Sequence, residues 1–138
     1  MTSTSITVQT LVNAPVSKVW DTWTTPEEII KWNSPDSGWH TPRAQHDLVP
    51  GGKFLYRMES RDGSMGFDFG GTFDEVKKNE KLSYTMEDGR KAAITFTREG
   101  DATRVVETFD AETENPVEMQ RHGWQSILDS FKKYTESL

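Results

Sequence analysis

Three histidines are the side chains of this sequence best suited to metal chemistry, and they are widely spaced. His40 and His46 lie six residues apart, whereas His122 lies far downstream with Glu118 one helical turn before it. Imidazole and carboxylate groups could hold a metal ion if folding brought them together. The spacing matches no metal-binding signature, and isolated histidines are usually exposed or hydrogen-bonded. We therefore predict no metal site and no cofactor, and we assign His122 to a polar contact that orients a bound small molecule.

Carboxylates on predicted strands form a second group with catalytic potential. Burial would raise the pKa of Glu59, Asp68 or Glu107 into a range suited to acid–base work. Side chains alternate between the two faces of a strand, however, and Asp68 lies between two phenylalanines while Glu59 follows a methionine. We therefore expect these carboxylates on a solvated outer face. The sequence also has no phosphate-binding loop and no Ser-His-Asp set in a nucleophile-elbow context, so we predict no catalytic residue.

The composition narrows the class of protein further. Sixteen Lys and Arg stand against 22 Asp and Glu among 138 residues, and the net charge of −6 argues against nucleic-acid binding. No apolar run approaches the roughly 18 residues of a membrane span, and the start of the chain lacks the features of a signal peptide. The absence of cysteine excludes disulfides and thiolate chemistry. We expect a cytoplasmic protein with one domain over residues 1–138 and an ordered core over about 6–136.

The first part of the chain predicts one strand and two short helices. Alternating β-branched residues indicate a strand over residues 6–12. After Pro15, apolar residues at helical spacing predict a helix that ends near residue 24. A Thr-Pro start and a following glutamate predict a second helix over residues 25–32. The turn-forming residues of 33–42 predict a loop.

The middle of the chain predicts an antiparallel meander. Short turn signals separate segments that alternate between apolar and polar residues, and the segments are 44–49, 53–60, 65–76, 82–86, 93–98 and 104–109. Strands joined by such short turns pair with their neighbours in an antiparallel sheet. The adjacent glycines Gly70 and Gly71 predict a bend or bulge in the third of these strands.

The end of the chain predicts one long amphipathic helix. Asn115 is a suitable cap, Pro116 suits the first turn, and an apolar face continues to Tyr134. A strongly twisted sheet can curl around such a helix. We therefore predict an α+β helix-grip fold, in which a curved antiparallel sheet of six to seven strands wraps a long C-terminal helix.

A curved sheet and a helix do not fill the space between them everywhere, so this fold predicts a cavity. Alternation along the strands and the first turns of the helix indicate its wall, which comprises Trp39, Phe54, Tyr56, Met58, Phe67, Phe69, Tyr84, Met86, Met119, His122 and Gly123. A glycine inside a helix is less stable than alanine by about 1 kcal/mol, so Gly123 suggests a cavity or a close helix–sheet approach. Trp32 and Trp39 flank the proline-rich loop and suit a lid or an entrance, or equally the packing of the two short helices onto the sheet.

Four motifs in order resemble one known family. They are NAPVSKVWDTWTTPEEIIKW (13–32), PGGKFLYRM (50–58), GGTFDEVKKNEKLSYT (70–85) and GWQSILDSFKKYTE (123–136). They resemble bacterial homologues of the C-terminal domain of the activator of heat-shock-protein-90 ATPase, within the START-like helix-grip superfamily called SRPBCC. The resemblance implies a cavity fold whose members bind lipids, polyketides or other apolar small molecules, or act as co-chaperone modules.

These observations favour a binding protein over an enzyme. The primary prediction is a cavity that takes an apolar small molecule of lipid-like, aromatic or polyketide-like character. One alternative is a chaperone ATPase-activating or stress-related module that binds a protein partner, and another is a cavity-based cyclase or hydrolase. We expect a monomer or a weak dimer.

Overall fold

Seven antiparallel strands form one curved sheet, and one long helix and two short helices pack against it. The computed structural model describes residues 4–138. The strands are β1 (Ser5–Val12), β2 (Trp39–His46), β3 (Lys53–Ser60), β4 (Gly66–Lys77), β5 (Lys81–Met86), β6 (Lys91–Glu99) and β7 (Ala102–Asp110). The helices are α1 (Val16–Thr24), α2 (Pro26–Trp32) and α3 (Val117–Ser137). The predicted helix-grip fold is confirmed.

The strand order follows from the short connections of the meander. Strands β2 to β7 pair consecutively, and β1 pairs with β7, so that the order is β1-β7-β6-β5-β4-β3-β2. Helix α3 lies along the outer edge at β1. There the Gln125 side chain donates to the carbonyl oxygen of Gln9 at 3.2 Å, and the Lys132 ammonium donates to the carbonyl oxygen of Leu11 at 2.8 Å. Side chains of α3 therefore satisfy backbone acceptors at this edge of the sheet.

The opposite edge strand begins earlier than the sequence predicts. Strand β2 starts at Trp39, inside the predicted loop 33–42, and ends at His46. The hydroxyl of the buried Thr41 donates to the carbonyl oxygen of Asn33 at 2.5 Å, which ties this strand to the end of α2. The register of β2 on β3 shifts between His40 and Arg43, which flank a proline. This irregular pairing explains why the alternation was not readable in the sequence.

The bulge predicted at the paired glycines lies elsewhere. Gly70 and Gly71 pair regularly with β3, whereas the register of β4 on β5 shifts between Phe73 and Glu75. At Gly71 a Cβ atom would stand 2.3 Å from the carbonyl oxygen of Thr85. Glycine is required there by the close approach of the neighbouring backbone and not by a bend.

The long helix begins later than its predicted cap. Pro116 is the N-cap, in an extended conformation, and Val117 is the first helical residue. The Asn115 backbone N–H donates to the Glu112 carboxylate at 2.8 Å, and the Asn115 side chain donates to the same carboxylate at 3.3 Å instead of capping the helix. The Gln120 side chain accepts from the Glu112 backbone N–H at 2.9 Å and donates to the Asn115 carbonyl oxygen at 2.8 Å. These bonds fix the segment that enters α3.

The tightest packing lies at the C-terminal half of α3. Phe131 is fully buried there, and its ring centroid is 4.7 Å from that of Trp23 and 4.9 Å from that of Trp32. The Trp32 indole donates to the carbonyl oxygen of Thr22 at 3.0 Å. Leu128 on the preceding turn is also fully buried. Because these rings anchor one half of the helix on α1 and α2, the other half stands over the sheet.

Within residues 4–138 no helix is long and apolar enough to cross a membrane. The predictions about the start of the chain, a domain from residue 1 and no signal peptide, concern residues 1–3 in part. Those residues lie outside the described residues.

Candidate functional site

A cavity of about 490 Å³ lies between the sheet and the helices. Ten of its 22 lining residues are aromatic, and the rings belong to Trp23, Trp32, Trp39, Phe54, Tyr56, Phe67, Phe69, Phe73, Tyr84 and Trp124. Its polar or charged lining residues are Asn33, Arg90, Glu107, Glu112, Asn115 and Gln120. A volume of this size lies within the usual range for small-molecule sites.

Eight residues predicted from the sequence line this cavity. They are Trp39, Phe54, Tyr56, Met58, Phe67, Phe69, Tyr84 and Gly123. A Cβ atom at Gly123 would meet no heavy atom within 4 Å. This glycine therefore borders open space. The sequence suggested either a cavity or a close helix–sheet approach at Gly123, and the structure has the cavity.

Three predicted residues lie outside the cavity. Met86 is buried in the core, 5% exposed, and does not border the open space. Met119 is 60% exposed, and His122 is also exposed to solvent. Helix α3 turns a different stripe to the cavity, and its members are Gln120, Gly123, Trp124 and Ile127. Their helical spacing leaves Met119 and His122 on another side of the helix, which corrects their predicted placement.

Phe54 is the centre of the aromatic wall contributed by the sheet. Its ring centroid lies 5.2 Å from Tyr56, 5.7 Å from Phe69, 5.1 Å from Phe73 and 4.9 Å from Tyr84. These separations are typical of favourable aromatic pairs. The mutual packing holds the rings in place and presents a rigid apolar surface to the cavity.

Two aromatic pairs mark other parts of the wall. Trp39 and Phe67 meet edge-on, with ring centroids 6.0 Å apart, and Phe67 is 47% exposed. This pair therefore lies where the cavity opens to solvent. Trp124 of α3 stacks on Phe109 of β7 with centroids 3.8 Å apart, and approaches Phe69 at 6.3 Å. That stack fixes the height of α3 above the sheet.

Glu107 is the functional candidate that the sequence analysis placed wrongly. Its side chain lies on the inner face, 5% exposed, and lines the cavity. Val105 and Phe109, two positions away on either side, are also buried, so alternation along β7 carried the signal. Burial raises the pKa of the Glu107 carboxyl to about 8, and within residues 4–138 no hydrogen bond or opposite charge offsets that effect. By contrast Asp68 is exposed, and Glu59 lies half-buried against Arg57.

Tyr84 is a second buried polar group in the cavity wall. Burial raises the pKa of its phenol well above the usual value, and the nearby Glu107 carboxylate raises it further. The side chain is 7% exposed. Tyr84 is therefore a neutral hydroxyl at physiological pH, close to the Glu107 carboxyl.

The histidines occupy separate places and have separate contacts. His46 Nδ1 lies 2.8 Å from the Tyr56 hydroxyl, and burial lowers the pKa of this imidazole. His40 lies 4.0 Å from the Glu59 carboxylate, and His122 faces solvent. No group of three potential ligands among residues 4–138 lies close enough to hold a metal ion. His46 therefore contacts a cavity-lining tyrosine, a role that no spacing in the sequence indicates.

The helix-grip frame agrees with the comparisons to known proteins. A family model described as activator of Hsp90 ATPase homolog 1-like protein matches residues 13–136. This chain belongs to that family. Within it, the chain is similar to the AHSA1-like protein from Aeromonas hydrophila, with 43% identity, a TM-score of 0.91, and coverage of 97% of this chain and 93% of that one.

Two further solved structures extend the comparison of this AHSA1-like chain. A protein from Cytophaga hutchinsonii is 52% identical, with a TM-score of 0.84 and coverage of 96% of this chain and 92% of that one. A protein from Chromobacterium violaceum is 21% identical, with a TM-score of 0.86 and 96% of each chain covered, and shows the shared fold alone. A search of curated proteins gave no significant match.

Proposed function

We propose that this AHSA1-like protein binds an apolar, aromatic or lipid-like small molecule in the cavity between the sheet and α3. The observation that supports it is the cavity itself, about 490 Å³ in volume, with ten aromatic side chains in its wall. Apolar space of this kind gains free energy when a ligand covers it, at about 25 cal/mol per Å² of apolar surface removed from water. Rigid rings reduce the ordering that binding requires.

The open pair Trp39 and Phe67 supports a route of entry. Phe67 lies half in solvent, and Trp39 begins the edge strand β2. The cavity wall also includes Phe69 of β4 and Trp124 of α3, whose rings approach each other edge-on with centroids 6.3 Å apart. Phe69 is only partly buried, so its replacement removes contact area in the cavity without deleting a fully buried core side chain.

Fluorescence titration with N-phenyl-1-naphthylamine tests the proposal. The wild type should enhance the emission of this neutral aromatic probe, and Phe69→Ala and Tyr84→Ala should each weaken its binding by roughly tenfold or more. Met65→Ala is a matched control, because Met65 is 63% exposed and does not line the cavity. Circular dichroism establishes that each variant is folded. Unchanged affinity in both cavity variants would overturn the proposal.

Native mass spectrometry of freshly purified protein, followed by organic extraction, gives an independent test. A retained mass released by solvent would identify the class of ligand that the expression host supplies. Phe69→Ala protein prepared in the same way should retain less of it. A retained mass that is equal in wild type and in Phe69→Ala and Tyr84→Ala would contradict binding at this wall.

A further inference from the structure

Glu107 is a buried acid in the cavity wall, and within residues 4–138 no opposite charge or hydrogen bond stabilises its ionised form. Glu107 pairs in register with Val8 on β1 and with Ile94 on β6, and both neighbours are buried and apolar. A buried polar group without a hydrogen-bond partner is destabilising, so a retained one needs an explanation. Because the Glu107 side chain lines the cavity, a molecule bound there can form a hydrogen bond with its carboxyl group.

Tyr84 faces the same space from two strands away. Ile94 on β6 pairs with Glu107 on β7 and with Leu82 on β5, so these three side chains lie on one face of the sheet. Tyr84 lies two residues after Leu82 on β5 and therefore shares that face. The Glu107 carboxylate is near enough to affect the ionisation of the Tyr84 phenol. No hydrogen bond within residues 4–138 contributes to the pKa of Tyr84. Two buried O–H groups therefore border one apolar volume.

Other ionisable groups around the cavity are engaged elsewhere. Arg90 pairs with Asp88 at 2.7 Å, although its charge also lowers the pKa of the Tyr84 phenol slightly against the effect of burial, and Glu112 accepts from Asn115. Tyr56 contacts His46. The residues of α2 and α3 that line the cavity are not ionisable. The neighbour of Glu107 on β1 is Val8, which is not ionisable either. No cation of these elements forms an ion pair with Glu107 within residues 4–138.

A neutral carboxylic acid and a neutral phenol both donate hydrogen bonds. Burial keeps Glu107 mainly protonated at neutral pH, and Tyr84 is protonated throughout the physiological range. A pair of such donors inside an apolar site is suited to one ligand oxygen that accepts from both. A hydrocarbon would leave both groups without partners, which lowers its affinity relative to a ligand with an acceptor.

We propose that Glu107 and Tyr84 form a two-donor recognition point for a carbonyl oxygen, and that the cavity selects aromatic ketones or enones over hydrocarbons of the same shape. This inference rests on the proposed small-molecule function and names the chemistry of its ligand. The aromatic wall binds the ring system, and the two donors fix its orientation.

Two shape-matched compounds test the selection. 2-Acetylnaphthalene carries the carbonyl, and 2-isopropenylnaphthalene replaces its oxygen by a CH₂ group. Both are measured by displacement of N-phenyl-1-naphthylamine. The wild type should prefer the ketone by roughly tenfold or more at pH 7. Glu107→Leu and Tyr84→Phe should each reduce that preference markedly, whereas Glu107→Gln should keep part of it, because its amide N–H still donates.

The pH dependence separates a donor from a charged acceptor. In the wild type the preference for the ketone should fall between pH 7 and pH 9, as Glu107 loses its proton and ceases to donate. In Glu107→Gln the preference should not change over this range. A constant preference in the wild type would contradict the role given to the Glu107 proton.

The remaining outcomes distinguish this inference from the proposed function. Equal affinity of the wild type for both compounds would overturn the two-donor site and leave small-molecule binding intact. Failure of the wild type to bind either compound or the fluorescent probe would overturn both. A preference for 1-(2-naphthyl)ethylamine over the ketone, lost in Glu107→Gln, would overturn the inference in favour of a cation site. Thermal denaturation of each variant verifies that it is folded.

Discussion

Replacement of Gly123 separates ligand binding from stability. Gly123 lies inside α3, and a Cβ atom there would meet no heavy atom within 4 Å. Gly123→Leu therefore adds four carbon atoms at the cavity wall, and the first of them, Cβ, enters open space. At about 0.8 kcal/mol per methylene-sized group, a ligand that occupied this space would lose about 3 kcal/mol of binding free energy. That loss corresponds to roughly 100-fold weaker binding.

The same change should not destabilise the fold. Glycine in a helix interior is less favourable than alanine by about 1 kcal/mol, and leucine ranks close to alanine. We therefore expect Gly123→Ala to raise the free energy of unfolding by about 1 kcal/mol and the melting temperature by about 3–5 °C. Gly123→Leu should be at least as stable as the wild type.

Titration with N-phenyl-1-naphthylamine and thermal denaturation, run on the same preparations, provide the readouts. His122→Leu is the matched control, because it places the same side chain on the exposed side of α3. The reasoning is refuted if Gly123→Leu binds as tightly as the wild type, or if Gly123→Ala lowers the melting temperature. The first result would remove the cavity as the site, and the second would show that glycine is needed for close packing.

Three further predictions concern stability. Burial raises the pKa of Glu107 to about 8 in the folded protein, so the native state holds a proton that the unfolded state releases. The free energy of unfolding should therefore fall as the pH rises from about 5 to 8, by up to about 1.4 kcal/mol per pH unit. Urea denaturation at several pH values should show this slope in the wild type and not in Glu107→Gln. Phe131→Ala should lower the free energy of unfolding by about 3–5 kcal/mol, measured in urea, since the side chain is fully buried. Gly71→Ala should also destabilise, in contrast to Gly123→Ala, because its Cβ would stand 2.3 Å from the Thr85 carbonyl oxygen; a melting temperature equal to that of the wild type would contradict this reason.

Alternation and helical periodicity were sufficient to predict most of the sheet wall. The rings of Phe54, Phe69 and Tyr84 line the cavity because each lies on the inner face of a regular strand. The same rule applied to β7 places Glu107 inward between Val105 and Phe109. The prediction failed there because an acid was assumed to be solvated, although its position on the strand indicated burial.

The rotation of α3 and the register of β2 could not be predicted, because both depend on tertiary packing and not on the local sequence pattern. The rotation of α3 about its axis, set by the anchored Phe131 and the Trp124 stack, decides that Met119 and His122 face away from the cavity. The contact of His46 with Tyr56 depends on the register of β2 against β3, which shifts within β2. Such registers follow from tertiary packing and are not visible in single strands.

The hydrogen bonds from α3 to β1 also cover an edge of the sheet. Gln125 and Lys132 occupy carbonyl oxygens of Gln9 and Leu11 that another chain could otherwise use to add a strand. If α3 lifts from the sheet, it uncovers the aromatic cavity and this strand edge in one motion. A ligand that holds α3 against the sheet therefore also shields the edge, and the occupied protein should withstand concentration and heat longer before it aggregates.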